Sequence, residues 1–474
     1  MIKGIIWFRT DLRIDDNPAL LSALTQCEEV VGIYIFSQTQ WDLHNESNIK
    51  HEFLINNLTV LEQSLAKLNI PLVVINTKSY KTLSKDLCSF LVEGNIDHAF
   101  WNNEFGYNET KRDQSAIEAL EKVNIQTSQF HDQVIYEPGF LRTGQGNPFS
   151  VFTPFKRRWV ENFEMDFLDI TQPHPAKKPS STKSNLSNLK FVKSHLVNIN
   201  LWPAGEVAAQ ERLSSFLHSK ARLYNESRNS PIIDGTSRIS PYLALGILSP
   251  KRCILEGLKL NNFEFTSGNK GICKWIDEIV WREFYRNIMH SFPKVSKNQP
   301  FQDYTKSIQW RHSSKDLEAF YTGKTGFPIV DAGIRQMLSE GWMHNRLRMV
   351  VAMFFTKNML HDWRLGEKFF MQNLIDGDFS SNNGGWQWSS STGTDSAPYF
   401  RIFNPITQSQ NFDPKGEFIK KFIPELKDVP VAQIHQPKSD LFSSTNYPAP
   451  ILDLKESRIR AIQAFKDARE NTSI

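Results

Sequence analysis

Short apolar runs alternate with amphipathic stretches through the first third of the chain. Gly4–Phe8, Val30–Phe36, Leu72–Ile75, His98–Asn102 and Ile125–Phe130 read as strands. Between them, Asn17–Thr25, Lys50–Leu68, Thr82–Glu93 and Glu109–Val123 place apolar side chains at the 3.6-residue period of a helix facing a core. Strands and helices in alternation predict an α/β domain over residues 1–130, a parallel doubly wound sheet with helices on both faces. Residues 131–200 lose the alternation and read as a connector. Within it, Val151–Trp159 is a short docked piece whose Lys156, Arg157 and Arg158 form a solvated face, and Thr171–Ser194, rich in Pro, Ser, Lys and Asn, is a surface linker. From 201 to 474 the pattern is helical, predicting a larger all-α domain. Its helices are placed at Glu206–Leu217, Pro241–Leu245, Pro250–Leu258, Cys273–His290, Lys315–Tyr321, Val330–Ser339, Met343–Leu360, Gly366–Asn373 and Leu454–Asn471, with Gly341 as a helix stop.

Composition narrows the class. The chain has 474 residues, 40% hydrophobic and 22% charged, as in a globular protein of two or three domains. Its net charge of +4 is compatible with a nucleic-acid partner without requiring one. Cys27, Cys88, Cys253 and Cys273 form no CxxC and no Cys/His ligand spacing, so reduced thiols, a cytoplasmic setting and no metal site are expected. The apolar start is too short for a signal peptide, and no run approaches the roughly 20 apolar residues of a membrane span. Arg9–Asp16 follows the first strand where a dinucleotide fold would carry its glycine fingerprint, and no P-loop occurs, so nicotinamide and P-loop nucleotide chemistry are unsupported.

Several polar groups then stand where packing alone does not ask for them. In the helix Cys273–His290, Glu278, Trp281, Arg282 and Tyr285 share one face. They could pair as Glu and Arg on a half-buried surface, or stack on and hydrogen-bond a planar ligand. In Met343–Leu360, Asn345, Arg348, Met349 and Ala352 share a face of a helix that is apolar nearly all round. A buried Arg348 needs a carboxylate, because an unpaired buried charge is expensive; Asp376 and Asp378 are the candidates. Those two open the stretch Asp376–Trp388, which fits no helix or strand period and reads as a loop turning at Gly384 and Gly385 into Trp386 and Trp388. Gly235–Ser240 is a hydroxyl-rich turn suited to a phosphate or to capping a helix. Beyond the fourth strand, Asn108 either caps the next helix or, with Glu109, hydrogen-bonds a small heterocycle.

Taken together, Trp7–Arg13, Gly235–Ser240, Trp281–Tyr285, Gly326–Asp331, Gly341–Arg348 and Asp376–Trp388 resemble, in order and spacing, the photolyase/cryptochrome family, and most of all its bacterial class I cyclobutane pyrimidine dimer photolyases. The resemblance implies FAD, active as FADH⁻, in the helical domain. It implies that Tyr224 and Thr236, Ser237, Arg238, Ile239 and Ser240 hold its phosphates and ribityl chain, and that Trp275 and Arg282 line its cavity. Asp376, Gly377 and Asp378 would border the isoalloxazine and adenosine, with Arg348 paired to Asp376, and Asn382 would sit against flavin N5. Glu278, Asn345 and Met349 would face a flipped-out dimer, with Trp281 and Trp388 packing on it. Arg228, Arg346 and Arg401 would contact DNA phosphates, and Trp386, Trp363 and Trp310 would form an electron relay to the flavin. Asn108, Glu109 and Lys297 would hold a 5,10-methenyltetrahydrofolate antenna, although Ser296 stands where a close relative has cysteine. The partner implied is UV-damaged DNA, met by a monomer. Competing readings are a cryptochrome-type blue-light photoreceptor, a photolyase for (6-4) photoproducts, whose lesion-side histidines are not matched by His344, and a flavin dehydrogenase acting in the dark.

Overall fold

The structure is a computed structural model and describes residues 2–189, 197–437 and 446–471. Five strands form one parallel sheet: β1 (Lys3–Phe8), β2 (Glu29–Phe36), β3 (Leu72–Asn76), β4 (His98–Asn102) and β5 (Gln126–Phe130). Their order is β3-β2-β1-β4-β5, so the chain winds outward from β1 to one edge, returns, and builds the other. β1 pairs with β2 from Lys3↔Glu29 to Phe8↔Tyr34 and with β4 from Gly4↔His98 to Ile6↔Phe100. Because both faces are covered, the central strands bury apolar residues on each: Ile5, Trp7, Val31, Ile33, Ala99 and Trp101 on one, and Ile6, Phe8, Val30 and Phe100 on the other. The expected strands and helices are found with ends shifted by a residue or a few, the caps deciding the ends. Asn17 caps Pro18–Gln26 through Leu20 N–H, and Ser47 caps Asn48–Ala66 through Lys50 N–H.

The proline- and serine-rich stretch is not a free linker over its described part. Asn185 Oδ1 accepts from Val74 N–H at 2.6 Å, Ser184 Oγ accepts from Leu72 N–H at 3.0 Å, and Lys178 N–H donates to Glu28 C=O at 2.8 Å. The Asn185 and Ser184 bonds cover the β3 edge, whose backbone would otherwise lie unpaired, and the Lys178 bond ties the stretch to the residue before β2. The part of that reading beyond Leu189 lies outside the described residues.

Two compact units are present. The first contains residues 1–194, 199–222 and 237–296, so helices Glu206–Ser219, Pro250–Leu260 and Lys270–Ser291 belong with the sheet. The second contains residues 195–198, 223–236 and 297–474, and its core gathers Phe327, Ile334, Met337, Leu347, Phe354, Phe355, Trp363 and Trp386. Gly341 ends the helix Pro328–Glu340 in the left-handed conformation, φ 66°, as a helix stop requires.

Two expectations fail here. Residues after Asp378 are not a loop: Phe379–Ser390 is a helix, with Gly384 and Gly385 inside it. Asp378 caps it by accepting from Ser381 N–H at 2.9 Å, and Asn383, Trp386 and Gln387 are buried on its inner side. Tertiary burial outweighs the roughly 1 kcal/mol that each interior glycine costs. The expected helix Met343–Leu360 is also broken. Asn345–Met353 is α-helical, Phe354–Asn358 widens into a π turn, and Leu360 takes a left-handed φ of 56°. Arg348 is accordingly half-buried rather than enclosed. Helices Gln38–Leu43, Pro405–Phe412 and Glu417–Phe422 had no strong period to announce them.

Candidate flavin and DNA sites

In the first unit, the segment leaving the carboxyl end of β4 turns into helix Tyr107–Glu121. The helix is capped by Gly106 without a side-chain bond, so Asn108 is not the cap. Asn108 is exposed and its Nδ2 lies 3.0 Å from His44 Nε2; Glu109 Oε1 lies 3.7 Å from His44 Nδ1. Burial raises the Glu109 carboxyl, with His44 offsetting part of the shift. His44 is a functional candidate that sequence periodicity gave no means of finding. Ser296 Oγ accepts from Tyr107 N–H at 3.0 Å, anchoring the same helix start, while Lys297 falls in the second unit.

Along helix Lys270–Ser291, Trp275 is buried and its indole N–H donates to Ser237 Oγ at 3.3 Å. This bond ties Trp275 to the hydroxyl-rich turn. That turn ends in Ser240–Ala244, after Ile239, with Arg238 at a left-handed φ of 49°. Glu278, Trp281 and Arg282 are half-buried. Arg282 donates from one Nη to Gln133 C=O and from the other to Leu243 C=O, and Glu278 has Lys274 at 3.6 Å. One face of Trp281 is covered by Phe152, stacked at 3.7 Å and 9°. Lys156 pairs with Asp277 at 2.6 Å, while exposed Arg157 and half-buried Arg158 lie 3.8 and 3.6 Å from Glu161.

In the second unit, Arg348 Nη2 donates to both carboxylate oxygens of Asp376, at 3.0 and 2.8 Å, and its Nε to Met343 C=O at 2.8 Å. The partner demanded by Arg348 is therefore Asp376; Asp378 serves as the helix cap. Asn382, on the first turn of that helix, donates Nδ2–H to Glu367 C=O at 3.0 Å. Its Oδ1 has no hydrogen-bond partner among the described residues, which fits an acceptor for the N5–H of a reduced flavin. A rigid polar chain stands behind it: Phe301 N–H to Gln387 Oε1 at 2.9 Å, Gln387 Nε2 to Asn383 Oδ1 at 2.9 Å, and Asn383 Nδ2 to Glu367 Oε1 at 2.8 Å. Burial pushes the Glu367 carboxyl up to about 7. Glu367 was not foreseen, because a Glu on an amphipathic helix ordinarily faces water.

Trp363 and Trp386 are buried in the core of this unit, and Trp310 packs against the same cluster, half-buried. Trp386 meets Phe370 at 4.9 Å and Phe355 at 5.7 Å, both edge-on, and its indole N–H is buried without a hydrogen-bond partner among the described residues. Gly366 makes room for it: a Cβ there would sit 2.8 Å from Trp386 Cζ2 and nearer still to two other ring atoms. Trp388, two residues and about half a helical turn beyond Trp386, is half-buried, as is Met349, while Asn345 is exposed.

Three arginines from distant parts of the sequence share one electrostatic field. Arg346 donates to Asn229 Oδ1 at 2.7 Å and lies over the Phe412 ring at 4.5 Å. Burial depresses its pKa, and the like charges of Arg228 and Arg401 depress it further. Arg228 lies over the ring of buried Tyr224, at 5.5 Å. Beneath Arg401, Lys357 is fully buried and donates to Arg401 C=O at 2.9 Å and Pro398 C=O at 3.3 Å; burial pushes its ammonium down to about 7. Converging cations that repel one another favour a polyanionic ligand. Among the described residues, no group of His, Cys, Asp and Glu is placed to hold a metal ion, and no helix is long and apolar enough to cross a membrane.

A parallel five-stranded sheet, a helical unit with an Arg–Asp pair beside a free amide acceptor, and a cluster of guanidiniums match one known family. The family model for the DNA photolyase domain matches residues 4–180, and that for the FAD binding domain of DNA photolyase matches residues 275–467. The chain belongs to the DNA photolyase family. It is 39% identical over 475 residues to the deoxyribodipyrimidine photo-lyase of Escherichia coli K12, covering 99% of this chain and all of that one. Among solved structures it resembles a class III photolyase from Agrobacterium tumefaciens (TM-score 0.89, 32% identity, 99% and 98% of the two chains). It also resembles the photolyase of Sulfolobus tokodaii, solved with two FAD molecules (TM-score 0.83, 27% identity, 98% and 100%).

Proposed function

We propose that this chain repairs cyclobutane pyrimidine dimers in DNA, using light and reduced FAD. The observation that carries the reading is the convergence of Arg228, Arg346 and Arg401 in the second unit, Arg346 and Arg401 lying inside the stretch that matches the family's FAD-binding domain. When bound, photoexcited reduced FAD supplies the electron that opens the cyclobutane ring, and it takes the electron back afterwards. The protein's part is placement and electrostatics. Arg348 and Asp376 fix one another at the flavin side, with Gly377 between Asp376 and the capping Asp378, and Asn382 Oδ1 accepts from N5–H. Tyr224, Thr236, Ser237, Arg238, Ile239 and Ser240 bind the phosphates and ribityl chain, and Trp275 and Arg282 line the cofactor cavity. Arg228, Arg346 and Arg401 grip phosphates beside the lesion. Glu278, Asn345 and Met349 face the dimer, and Trp281 presents to it the face that Phe152 leaves open. Trp388 packs on the dimer as well. Trp310, Trp363 and Trp386 deliver electrons that keep the cofactor reduced.

Asn108 and Glu109, with Lys297, hold a light-harvesting folate, 5,10-methenyltetrahydrofolate. A second FAD, as in the S. tokodaii structure, is the alternative occupant, and the absorption spectrum of the extracted chromophore distinguishes the two. The function itself is tested by illuminating the purified protein with dimer-containing oligonucleotides. Light-dependent loss of dimers is expected. Bound flavin with repair of neither dimers nor (6-4) photoproducts would instead indicate a blue-light photoreceptor.

A further inference from the structure

The second unit holds one polar side chain in a place that neither flavin binding nor lesion binding explains. His361 is fully buried, and among the described residues neither ring nitrogen makes a hydrogen bond of good geometry, the Arg311 backbone being the one group that bears on the ring as a weaker hydrogen-bond partner. An unpaired buried polar group is costly, and such groups are rare in native proteins. The backbone is bent to put it there. The π turn Phe354–Asn358 closes with Met359 N–H on Phe354 C=O, Leu360 then adopts a left-handed φ of 56°, and His361 N–H reaches back to Phe355 C=O at 3.1 Å. A branched residue in that conformation is strained, and such strain gathers at functional positions.

The surroundings of His361 are those of the tryptophan relay. Its ring lies 5.4 Å from Phe355, whose ring meets Trp386 edge-on at 5.7 Å. Trp363 is two residues on, the first residue of the helix that Asp362 caps. On the other side runs the segment that begins at Trp310: Arg311 N–H donates to Leu360 C=O at 2.8 Å. Because the Trp386 indole N–H has no acceptor among the described residues, an oxidised Trp386 would keep its positive charge rather than shed a proton.

We propose that His361 is a proton-operated gate on this relay. Neutral, it lets positive charge pass from Trp386 through Trp363 to Trp310; protonated, its imidazolium opposes that charge and slows the passage. The inference rests on the relay assigned under the proposed function. In each turnover of the relay one electron leaves Trp386 for oxidised cofactor, Trp363 refills Trp386, and Trp310 refills Trp363. An added thiolate then returns one electron to Trp310 and becomes a thiyl radical. Other charges near the imidazole are already engaged. Arg311 pairs with Asp316 at 3.3 Å and donates to Met359 C=O, and Asp362 pairs with Arg364 at 3.0 Å. Lys357 on the π turn is spent on the Pro398 and Arg401 carbonyls, and His312 bears on His361 only as a weaker repulsion. Burial, aided by the Arg311 charge, outweighs the hydrogen bond of the Arg311 backbone and keeps the imidazole below its ordinary pKa, and so neutral near neutral pH. His361 is a positioning residue for charge and touches neither cofactor nor lesion in this scheme.

The test follows photoreduction of protein-bound oxidised FAD, with thiol present, from about pH 5 to about pH 8. In parallel, the imidazole of His361 is titrated by NMR in flavin-free protein carrying ¹³C-labelled histidine. The wild-type rate should fall about tenfold or more as pH drops through the NMR midpoint. His361→Gln and His361→Phe should remove that fall, while repair by chemically reduced enzyme stays at the wild-type level. An unchanged pH profile in both variants, or an imidazole that does not titrate in this range, overturns the gate. Trp310→Phe with undiminished photoreduction overturns the relay itself, and so identifies a failure of the underlying assignment.

Discussion

The Arg348–Asp376 pair makes a prediction whose asymmetry follows from burial. The Asp376 side chain is 3% exposed, and that of Arg348 is 26% exposed. Arg348→Met removes the cation and leaves a carboxylate enclosed without its bidentate partner. Breaking a buried pair from one side costs about 3–5 kcal/mol, and the partial exposure of the arginine lowers this to about 2–3 kcal/mol. Asp376→Asn removes the anion instead. The guanidinium keeps Met343 C=O and can turn toward water, and the new amide oxygen still accepts, so the loss is about 1 kcal/mol or less. The double variant should cost clearly less than the sum, because the enclosed charge responsible for the larger loss is gone. Urea unfolding of flavin-free protein, followed by circular dichroism and tryptophan fluorescence, reads all three without interference from cofactor contacts. Equal losses for the two single variants, or simple additivity in the double, would refute the burial argument.

Other outcomes follow from the same structure. Gly366→Ala should displace the Trp386 ring and slow flavin photoreduction, although no relay tryptophan is altered; overpacking of about 1–3 kcal/mol outweighs the better helix propensity of alanine and should also lower Tm. Glu367 has a folded pKa of about 7, above its ordinary value, so its contribution to stability is full below about pH 4.5 and is lost as pH rises through about 7; Glu367→Gln should therefore raise Tm near pH 8 and flatten the pH dependence between those limits. Arg346→Ala should weaken DNA binding at all sequences alike and reduce the slope of log K against log salt by about 0.9, as read by a fluorescence anisotropy titration. Replacing Asn382 should shift the flavin's one-electron potentials more than its affinity, measured by spectroelectrochemistry beside a binding titration.

What could be read from sequence followed from physical regularity. The sheet was legible because strands buried on both faces and helices buried on one leave different periods. A carboxylate partner for Arg348 was legible, because a guanidinium among Val350, Val351 and Phe354 must find one; periodicity left Asp376 and Asp378 both open, and only the resemblance chose between them. The helix after Asp378 was not, since its two glycines oppose helix formation locally and its buried side is lined by Asn383 and Gln387 as well as Trp386. Only the fit of Trp386 over Gly366 and the hold of Glu367 on two asparagines decide that segment. Arg228, Arg346 and Arg401 carry no shared sequence signal, and only family resemblance singled them out in advance. Lys357 and His361 sit in an apolar run whose hydropathy says nothing about π turns or left-handed residues.

The π turn also bears on how this chain tolerates changes in length. A turn closed by an i to i+5 bond holds one residue more than an α-helical turn needs. Removing one residue between Phe354 and Asn358 could restore an unbroken α-helix, yet every later position would swing by about 100°. Lys357 would leave the carbonyls that anchor the Arg401 loop, and His361 would leave the relay. Most surface loops here could gain or lose a residue with little consequence. This one helix cannot, because its surplus residue sets the registry between the Arg401 segment that Lys357 holds and the buried tryptophans.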